Sequence, residues 1–315
     1  MIYDVIIIGA GPAGTASGIY CARKKLKTLV LTKDFVGQVG KTSQIDNWPG
    51  EMGISGQELM KKFTSHLKEF ANLPEKEKDL FVKENREVKV VKKEKEGFSV
   101  ETDNREKFQS RVIIVATGRD PRPLEVPGEK ELISKGVSYC PICDAPFFKD
   151  KGVAVIGGGN SGLEAALDLT RYAKRIFILE RSNKLIGDEF LQEKAKKKNK
   201  IQIHLSKEVK EIIGKEKVQA LSYRDTETGK EFQVPVEGVF VQIGSIPATG
   251  FLHKLVEFNK EDEIGVDFQS CGTSCSGIFA AGDVNNGKWK QIVIAAGEGA
   301  RAALAAYDYL ENSRA

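Results

Sequence analysis

The chain has 315 residues, 41% hydrophobic and 29% charged, with a net charge of +4 and five cysteines. That length accommodates roughly two domains with large buried cores, and the composition excludes a disordered or fibrous protein. The basic runs at 89–95 and 194–200 contain or adjoin glutamates and read as solvated faces, so no nucleic-acid partner is expected.

No apolar run approaches the roughly 20 residues that span a bilayer. Met1 leads directly into an apolar strand at 4–8, so neither a leader nor a membrane partner is expected, and the cytoplasm is the expected compartment. An odd number of cysteines does not suggest a secreted disulfide framework.

The apolar run at 5–8 ends in Gly9-Ala10-Gly11-Pro12-Ala13-Gly14, with a helical pattern to about residue 25 and a second strand at 28–32. A GxGxxG loop is informative when a strand precedes it and a helix follows. Its glycines permit a tight turn and let the backbone approach a pyrophosphate at a helix N-terminus. Gly9, Gly11, Pro12, Ala13 and Gly14 are therefore read as a dinucleotide loop. Where an acidic residue is expected for the adenosine ribose, the chain has Thr32 and Lys33, with Asp34 beyond. Cys21 lies in the helix and reads as packing.

Residues 53–70 read as a loop and an amphipathic helix, with Leu59, Phe63, Leu67 and Phe70 at helical spacing. Alternation from 80 to 110 suggests a β-meander, and a buried strand at 111–116 runs into Thr117-Gly118. Pro121, Pro123 and Pro127 then stiffen a connector.

Cys140-Pro141-Ile142-Cys143-Asp144 admits three readings: a disulfide that opens and closes, half of a metal site, or core packing. A zinc site needs a second pair or histidines nearby. Cys271 and Cys275 lie far away in sequence, so no metal is expected. The pair falls between two dinucleotide motifs, which favours an electron relay. The second motif is a strand at 153–156, the loop Gly157-Gly158-Gly159-Asn160-Ser161-Gly162, a helix at 163–172 and a strand at 175–179. That strand ends in Glu180, about 20 residues past the glycines, as the full fingerprint requires. Glu180 would accept from a ribose 2′-hydroxyl and repel a 2′-phosphate, so NADH is expected over NADPH, with Arg181 adjacent. Strands at 201–204, 218–223, 232–236 and 239–243 complete this part.

Val36-Gly37-Gln38 followed by Asp46-Asn47-Trp48-Pro49-Gly50, and Gly282-Asp283-Val284 followed by Lys290-Gln291-Ile292, resemble the flavin segments of low-molecular-weight thioredoxin reductases. From Cys140 onward, the Gly157–Gly162 loop, Glu180, Val241-Gln242-Ile243-Gly244 and Gly297-Glu298-Gly299 are also similar to the flavoprotein subunit of alkyl hydroperoxide reductase. The chain departs from the reductase pattern at Val36 and Ala145, where glycine is usual, and at Pro247-Ala248-Thr249, where asparagine usually follows the proline. In glutathione reductase the cysteine pair comes early and a histidine lies near the C-terminus. Here the histidines are His66, His204 and His253.

The resemblance implies an α/β fold of two Rossmann-like dinucleotide-binding domains of the three-layer ββα type. The NAD domain, 118–245, would be inserted into an FAD domain formed by 1–117 and 246–315. Gly37, Gln38, Asn47, Thr117, Gly118 and Gly282 would hold FAD, with Asp283 on the ribityl chain and Gln291 and Ile292 near the isoalloxazine. Cys143 would face the flavin and Cys140 the partner. Asp144 would donate a proton, although an exposed or helix-capping carboxylate is an equal reading. Cys271 and Cys275 would be structural.

The implied activity passes electrons from NADH, or NADPH, through FAD and the dithiol to thioredoxin or a glutaredoxin-like carrier. A peroxiredoxin system is the alternative. The resemblance also implies a homodimer and rotation of the nucleotide domain about 118–122 and 244–247. The thioredoxin-like domains of the alkyl hydroperoxide reductase flavoprotein are absent from this sequence, so a separate carrier is expected to receive the electrons. A small-molecule dithiol oxidase and a redox sensor without turnover rank lower, because an oxidase would not need the intact second Rossmann motif.

Overall fold

Strand β1 (Ile2–Ile8) is buried on both faces because it lies inside a parallel sheet, which accounts for its unbroken apolar run. The computed structural model describes residues 2–42, 45–252 and 255–313, so His253 lies outside it. The chain forms two compact units, one of Met1–Asp120 with Ile246–Ala315 and one of Pro121–Ser245.

In the first unit β1 leads through Gly9 into α1 (Pro12–Arg23) and back to β2 (Thr28–Leu31). Helix α2 (Gly56–Ala71) opens on a capping box, in which Ser55 Oγ accepts from Glu58 N and the Glu58 carboxylate accepts from Ser55 N. Then follow β3 (Leu80–Lys83), β4 (Val88–Glu94), β5 (Gly97–Thr102) and β6 (Lys107–Val115). The sheet runs β3-β2-β1-β6-β5-β4. The expected meander at 80–110 holds only for β4 to β6, because β3 pairs parallel to β2. Strand β3 is only four residues, too short for alternation to separate a parallel from an antiparallel role.

The crossing strand β7 (Arg119–Pro121) leads into the second unit, which begins with β8 (Val137–Ser138) and α3 (Pro141–Asp144). The nucleotide motif follows as β9 (Gly152–Ile156), α4 (Asn160–Leu169) and β10 (Arg175–Leu179). Helix α4 starts three residues earlier than expected because its first turn is the glycine loop itself. Next come α5 (Glu189–Lys196), β11 (Ile201–His204), β12 (Lys207–Gly214), β13 (Val218–Asp225), β14 (Glu231–Pro235) and β15 (Gly238–Val241). Five parallel strands run β11-β10-β9-β15-β8, and β12 to β14 form a separate antiparallel sheet. Alternate residues of β9 and β10 divide the core: Val153, Val155, Ile176 and Ile178 face the helices, while Ala154, Ile156, Phe177 and Leu179 pack with residues of β12 and β13. That is a ββα sandwich.

Strand β16 (Ser245–Pro247) pairs with β7, and the chain returns to the first unit. There β17 (Ile278–Ala280) pairs parallel to β6, and α6 (Ile292–Asn312) closes the fold. The first unit repeats the layering, with one core against α1 and α6 and a second against β4 and β5. Both units are thus Rossmann-type α/β layers. No helix of the described residues is long and apolar enough to cross a membrane.

Helices α1 and α6 approach closely where Ser17 Oγ donates to Gly299 O at 2.9 Å. A Cβ on Gly299 would stand 2.1 Å from Ala13 O, which is backbone and cannot rotate away. Gly299→Ala should therefore cost about 1–3 kcal/mol of stability through overpacking. Urea unfolding measures this, and an unchanged midpoint would show that the helices separate freely.

Candidate functional site

The first glycine loop is shaped by backbone contacts. Gly9 has φ +101, and a Cβ there would lie 2.3 Å from Ala116 O; at Gly14 it would lie 1.9 Å from Gly9 O. Gly11 differs: nothing lies within 4 Å of its Cβ position. It is the N-cap of α1, no side chain caps that end, and Pro12 occupies the first turn. The open amides fit a pyrophosphate. Ala13 is buried beside the loop.

At the end of β2, Thr32 Oγ1 donates to Asp34 O at 2.5 Å, and Lys33 pairs with Glu87 at 2.9 Å. The Asp34 carboxylate accepts from Val36 N and Gly37 N at 2.7 and 2.9 Å, so it shapes the next turn. Gly37 has φ +51, whereas Val36 is not in the left-handed region, so valine fits there.

Residues far apart in sequence meet in this unit. Asn47 Nδ2 donates to Gln291 Oε1 at 3.0 Å, and Gln38 Nε2 donates to Arg119 O at 2.5 Å. Thr117 Oγ1 donates to Ala248 O at 2.8 Å, and Gly118 has φ +66. Gly282 N donates to Glu298 Oε2 at 2.8 Å, fixing the residue before Asp283. Glu298 Oε2 also accepts from Asn285 Nδ2 at 2.7 Å, and both residues are buried. Burial pushes the Asp283 carboxyl up, against the opposing charges of Lys290 and Arg119. Those two cations share Glu263 Oε1, at 3.0 and 2.8 Å. Ile292 starts α6, with Gln291 as its N-cap.

The second loop repeats the first. Gly157 has φ +112 and a Cβ position 2.3 Å from Gln242 O, and at Gly162 a Cβ would lie 2.0 Å from Gly157 O. At Gly159, the uncapped N-cap of α4, only Ile186 comes within 4 Å, at 3.8 Å or more. Asn160 Nδ2 donates to Asp188 Oδ2 at 2.9 Å, and Ser161 is exposed. Glu180 is buried, with Gly158 N donating to Oε2 at 2.6 Å and Ser182 N to Oε1 at 2.7 Å. A carboxylate has about four acceptor sites, so capacity remains for ribose hydroxyls. Arg181 is largely exposed and pairs with Glu208 at 3.8 Å, which also binds Lys210 and Arg224 at 2.6 and 2.7 Å.

Cys140 and Cys143 are joined in a disulfide, with Cα atoms 5.3 Å apart. Cys140 is the N-cap of α3, and its Sγ accepts from Cys143 N at 3.3 Å. Cys143 is exposed, while Cys140 and Asp144 are half-buried. The Asp144 side chain does not cap the turn that follows it. Ala145 has φ −50 and is buried, so alanine suits the position where glycine is usual. Phe148 packs edge-on to Phe240 at 5.1 Å and anchors the far side of the turn.

Cys21, Cys271 and Cys275 are free and buried, and burial pushes the Cys21 thiol up to about 12 and that of Cys271 to about 11. Among the described residues, no group of three or more His, Cys, Asp or Glu is placed to hold a metal.

Residues 3–299 match the family model described as pyridine nucleotide-disulphide oxidoreductase. The chain belongs to that family. Membership implies FAD and a pyridine nucleotide, and the two glycine cradles fit them. Among solved members, thioredoxin reductase from Lactococcus lactis, in its FR conformation, is 35% identical with a TM-score of 0.89, covering 98% of this chain and 99% of that one. T. acidophilum thioredoxin reductase is 35% identical with a TM-score of 0.86, over 100% and 99% of the two chains. Among curated relatives, a Bacillus subtilis (strain 168) protein named NADH dehydrogenase is 41% identical over 98% of this chain and 58% of its own length. A Staphylococcus aureus (strain NCTC 8325 / PS 47) protein named as a subunit of alkyl hydroperoxide reductase is 38% identical over 98% and 59%. The chain thus spans somewhat more than half the length of these curated relatives.

Glu298 lies within a motif that carries the resemblance, but the family's sequence motifs do not announce Glu263, Glu208 or Glu129. Each is one acid in a charged or helical pattern, and only its contacts distinguish it. Gly11→Ala should leave the apoprotein within about 0.5 kcal/mol of the parent, because its φ is −68 and its Cβ position is open. The same methyl should weaken FAD binding about tenfold or more, since it occupies the phosphate approach. Denaturation and a flavin fluorescence titration test both halves, and undiminished affinity would remove the cradle assignment.

Proposed function

We propose that the chain is an NADH-dependent flavoprotein disulfide reductase that delivers electrons through Cys140 and Cys143 to thioredoxin or a glutaredoxin-like carrier. The observation that carries this reading is the Cys140–Cys143 disulfide in the same unit as a complete nucleotide loop ending in the buried Glu180. FAD, when bound, supplies two-electron transfer between nicotinamide and sulfur. In this reading Gly9, Gly11, Pro12, Ala13, Gly14, Thr32, Lys33, Gly37, Gln38, Asn47, Thr117, Gly118, Gly282, Asp283, Gln291 and Ile292 hold it. Gly157, Gly159, Asn160, Ser161, Gly162, Glu180 and Arg181 hold the nicotinamide coenzyme.

The chain's own chemistry is thiol exchange. With the pair reduced, the Cys140 thiolate attacks the partner disulfide and releases one partner thiolate. Cys143 then attacks the mixed disulfide, the second partner thiolate leaves, and the protein disulfide re-forms. Two electrons and two protons leave the protein. The Cys143 amide beside Cys140 Sγ favours the thiolate, and Asp144 is assigned to hold the proton beside Cys143. Gly118 and Gly244 (φ +66 and +96) flank the paired crossing strands and are assigned as hinges. The three other cysteines are buried thiols, in keeping with the cytoplasm. Similarity to thioredoxin reductases supports a homodimer, and similarity to the alkyl hydroperoxide reductase component supports a peroxiredoxin-linked carrier as the alternative acceptor.

Under anaerobic conditions, NADH should generate two alkylatable thiols per flavin and drive reduction of a panel of carrier proteins. Cys140→Ser should abolish carrier turnover while retaining reduction of the bound flavin. If the parent protein opens no disulfide with NADH, the reading is wrong. Glu208 neutralises Arg181 beside the ribose position, so Glu208→Gln should raise the NADPH-to-NADH ratio of kcat/KM by up to about fivefold, the range of an exposed ion pair. A ratio already favouring NADPH in the parent would overturn the coenzyme assignment.

A further inference from the structure

We infer that Glu129 and Tyr139 form a clamp that fixes the Cys140 end of the redox turn and so sets how strongly the dithiol closes to the disulfide. The inference rests on reading Cys140 and Cys143 as the redox pair.

Glu129 is fully buried. Its Oε1 accepts from Leu124 N at 2.7 Å and from the Tyr139 hydroxyl at 2.6 Å, and its Oε2 accepts from Glu125 N at 2.6 Å. A carboxylate out of water is costly unless donors surround it, and here three short hydrogen bonds do so. Two come from the stretch just beyond β7. The third comes from the residue immediately before Cys140. Burial and the Glu129 charge push the Tyr139 phenol up, so it remains a donor.

The same peptide is held from two other directions. Gln242 Nε2 donates to Tyr139 O at 3.3 Å, and Cys140 N donates to Ser138 Oγ at 3.0 Å. The turn is therefore gripped differently at its two ends. Beyond Cys143, the grip is the packing of Ala145 and Phe148 in the core. Before Cys140, it is a set of directional polar contacts to Glu129, Gln242 and Ser138. No residue of α3 itself is buried, so these two anchors set the sulfur positions.

Closing a disulfide from a dithiol is an intramolecular step. Its equilibrium constant follows the effective concentration of one sulfur at the other, which falls when either end gains freedom. Removing the Tyr139 hydroxyl loosens that end by one contact, without touching the sulfurs or the core. The dithiol should then gain freedom that the ring does not.

The test equilibrates the FAD-loaded full chain anaerobically with reduced and oxidised dithiothreitol. Protein disulfide and reduced dithiothreitol exchange two electrons and two protons to give protein dithiol and oxidised dithiothreitol, and alkylation mass shifts count the thiols. Tyr139→Phe should move this equilibrium toward the dithiol by about threefold to tenfold, tenfold being about 30 mV for a two-electron couple. Glu129→Gln should move it the same way, and the double variant should move it no further than the larger single change. Tyr223→Phe, in β13 of the same unit, should leave it unchanged. If Glu129→Gln does not fold, Tyr139→Phe decides alone. An unchanged equilibrium in folded Tyr139→Phe overturns the clamp, as do additive shifts. These results are independent of NADH: a parent pair that NADH cannot open would defeat the redox-pair reading, whereas an unmoved dithiothreitol equilibrium defeats only the clamp.

Discussion

In each unit a glycine turns the chain from a buried parallel strand into a helix at a point where backbone meets backbone. A Cβ on Gly14 would lie 1.9 Å from Gly9 O, and one on Gly162 would lie 2.0 Å from Gly157 O. That approach lets the first turn of the helix sit tight against the strand end, with its amides directed outward. The strands on either side complete the enclosure, because Gly9 also meets Ala116 at the end of β6 and Gly157 meets Gln242 just beyond β15. Apart from Leu185 and Glu180 against Gly158, side chains approach mainly at the margins of these cradles.

The margins differ, and the difference gives each unit its character. In the second unit Glu180 is tied to the amides of Gly158 and Ser182, so a fixed negative charge stands at the end of β10. In the first unit the corresponding place is taken by Thr32 and Lys33, with Lys33 turned to Glu87. Its charge lies instead around Asp283, where Arg119 and Lys290 converge on Glu263 and Glu298 fixes Gly282. One backbone design thus serves two different electrostatic settings.

The redox turn contributes almost no packing of its own. It is held by Ala145 and Phe148 on one side and by the Glu129 contacts on the other. Polar contacts fix direction while leaving the sulfurs near solvent, which suits the proposed opening and closing of this bond. The Cys143 amide lies 3.3 Å from Cys140 Sγ, where it would favour a thiolate in the proposed dithiol state.

The two glycine loops, the Cys140–Cys143 pair and the acidic end of β10 were legible in the sequence because each is a local pattern whose spacing is imposed by backbone geometry. The parallel pairing of β3 was not, since four residues carry no record of a partner's direction. The β7–β16 ribbon was missed because each strand has three residues, and β12 because lysines and glutamates interrupt its apolar positions. Asn47 and Gln291 were each identified by resemblance, but only the folded chain brings them to 3.0 Å. Glu129 shows the limit most clearly. In sequence it is one acid among several charged neighbours, and its fully buried, three-donor environment exists only once the connector has folded back over it and Tyr139 has turned toward it. The sequence by itself determined which backbone shapes and which reactive atoms were present; the tertiary structure decided which charges were buried and what they hold, because burial and hydrogen-bond partners depend on how the chain packs, which a charge pattern does not record.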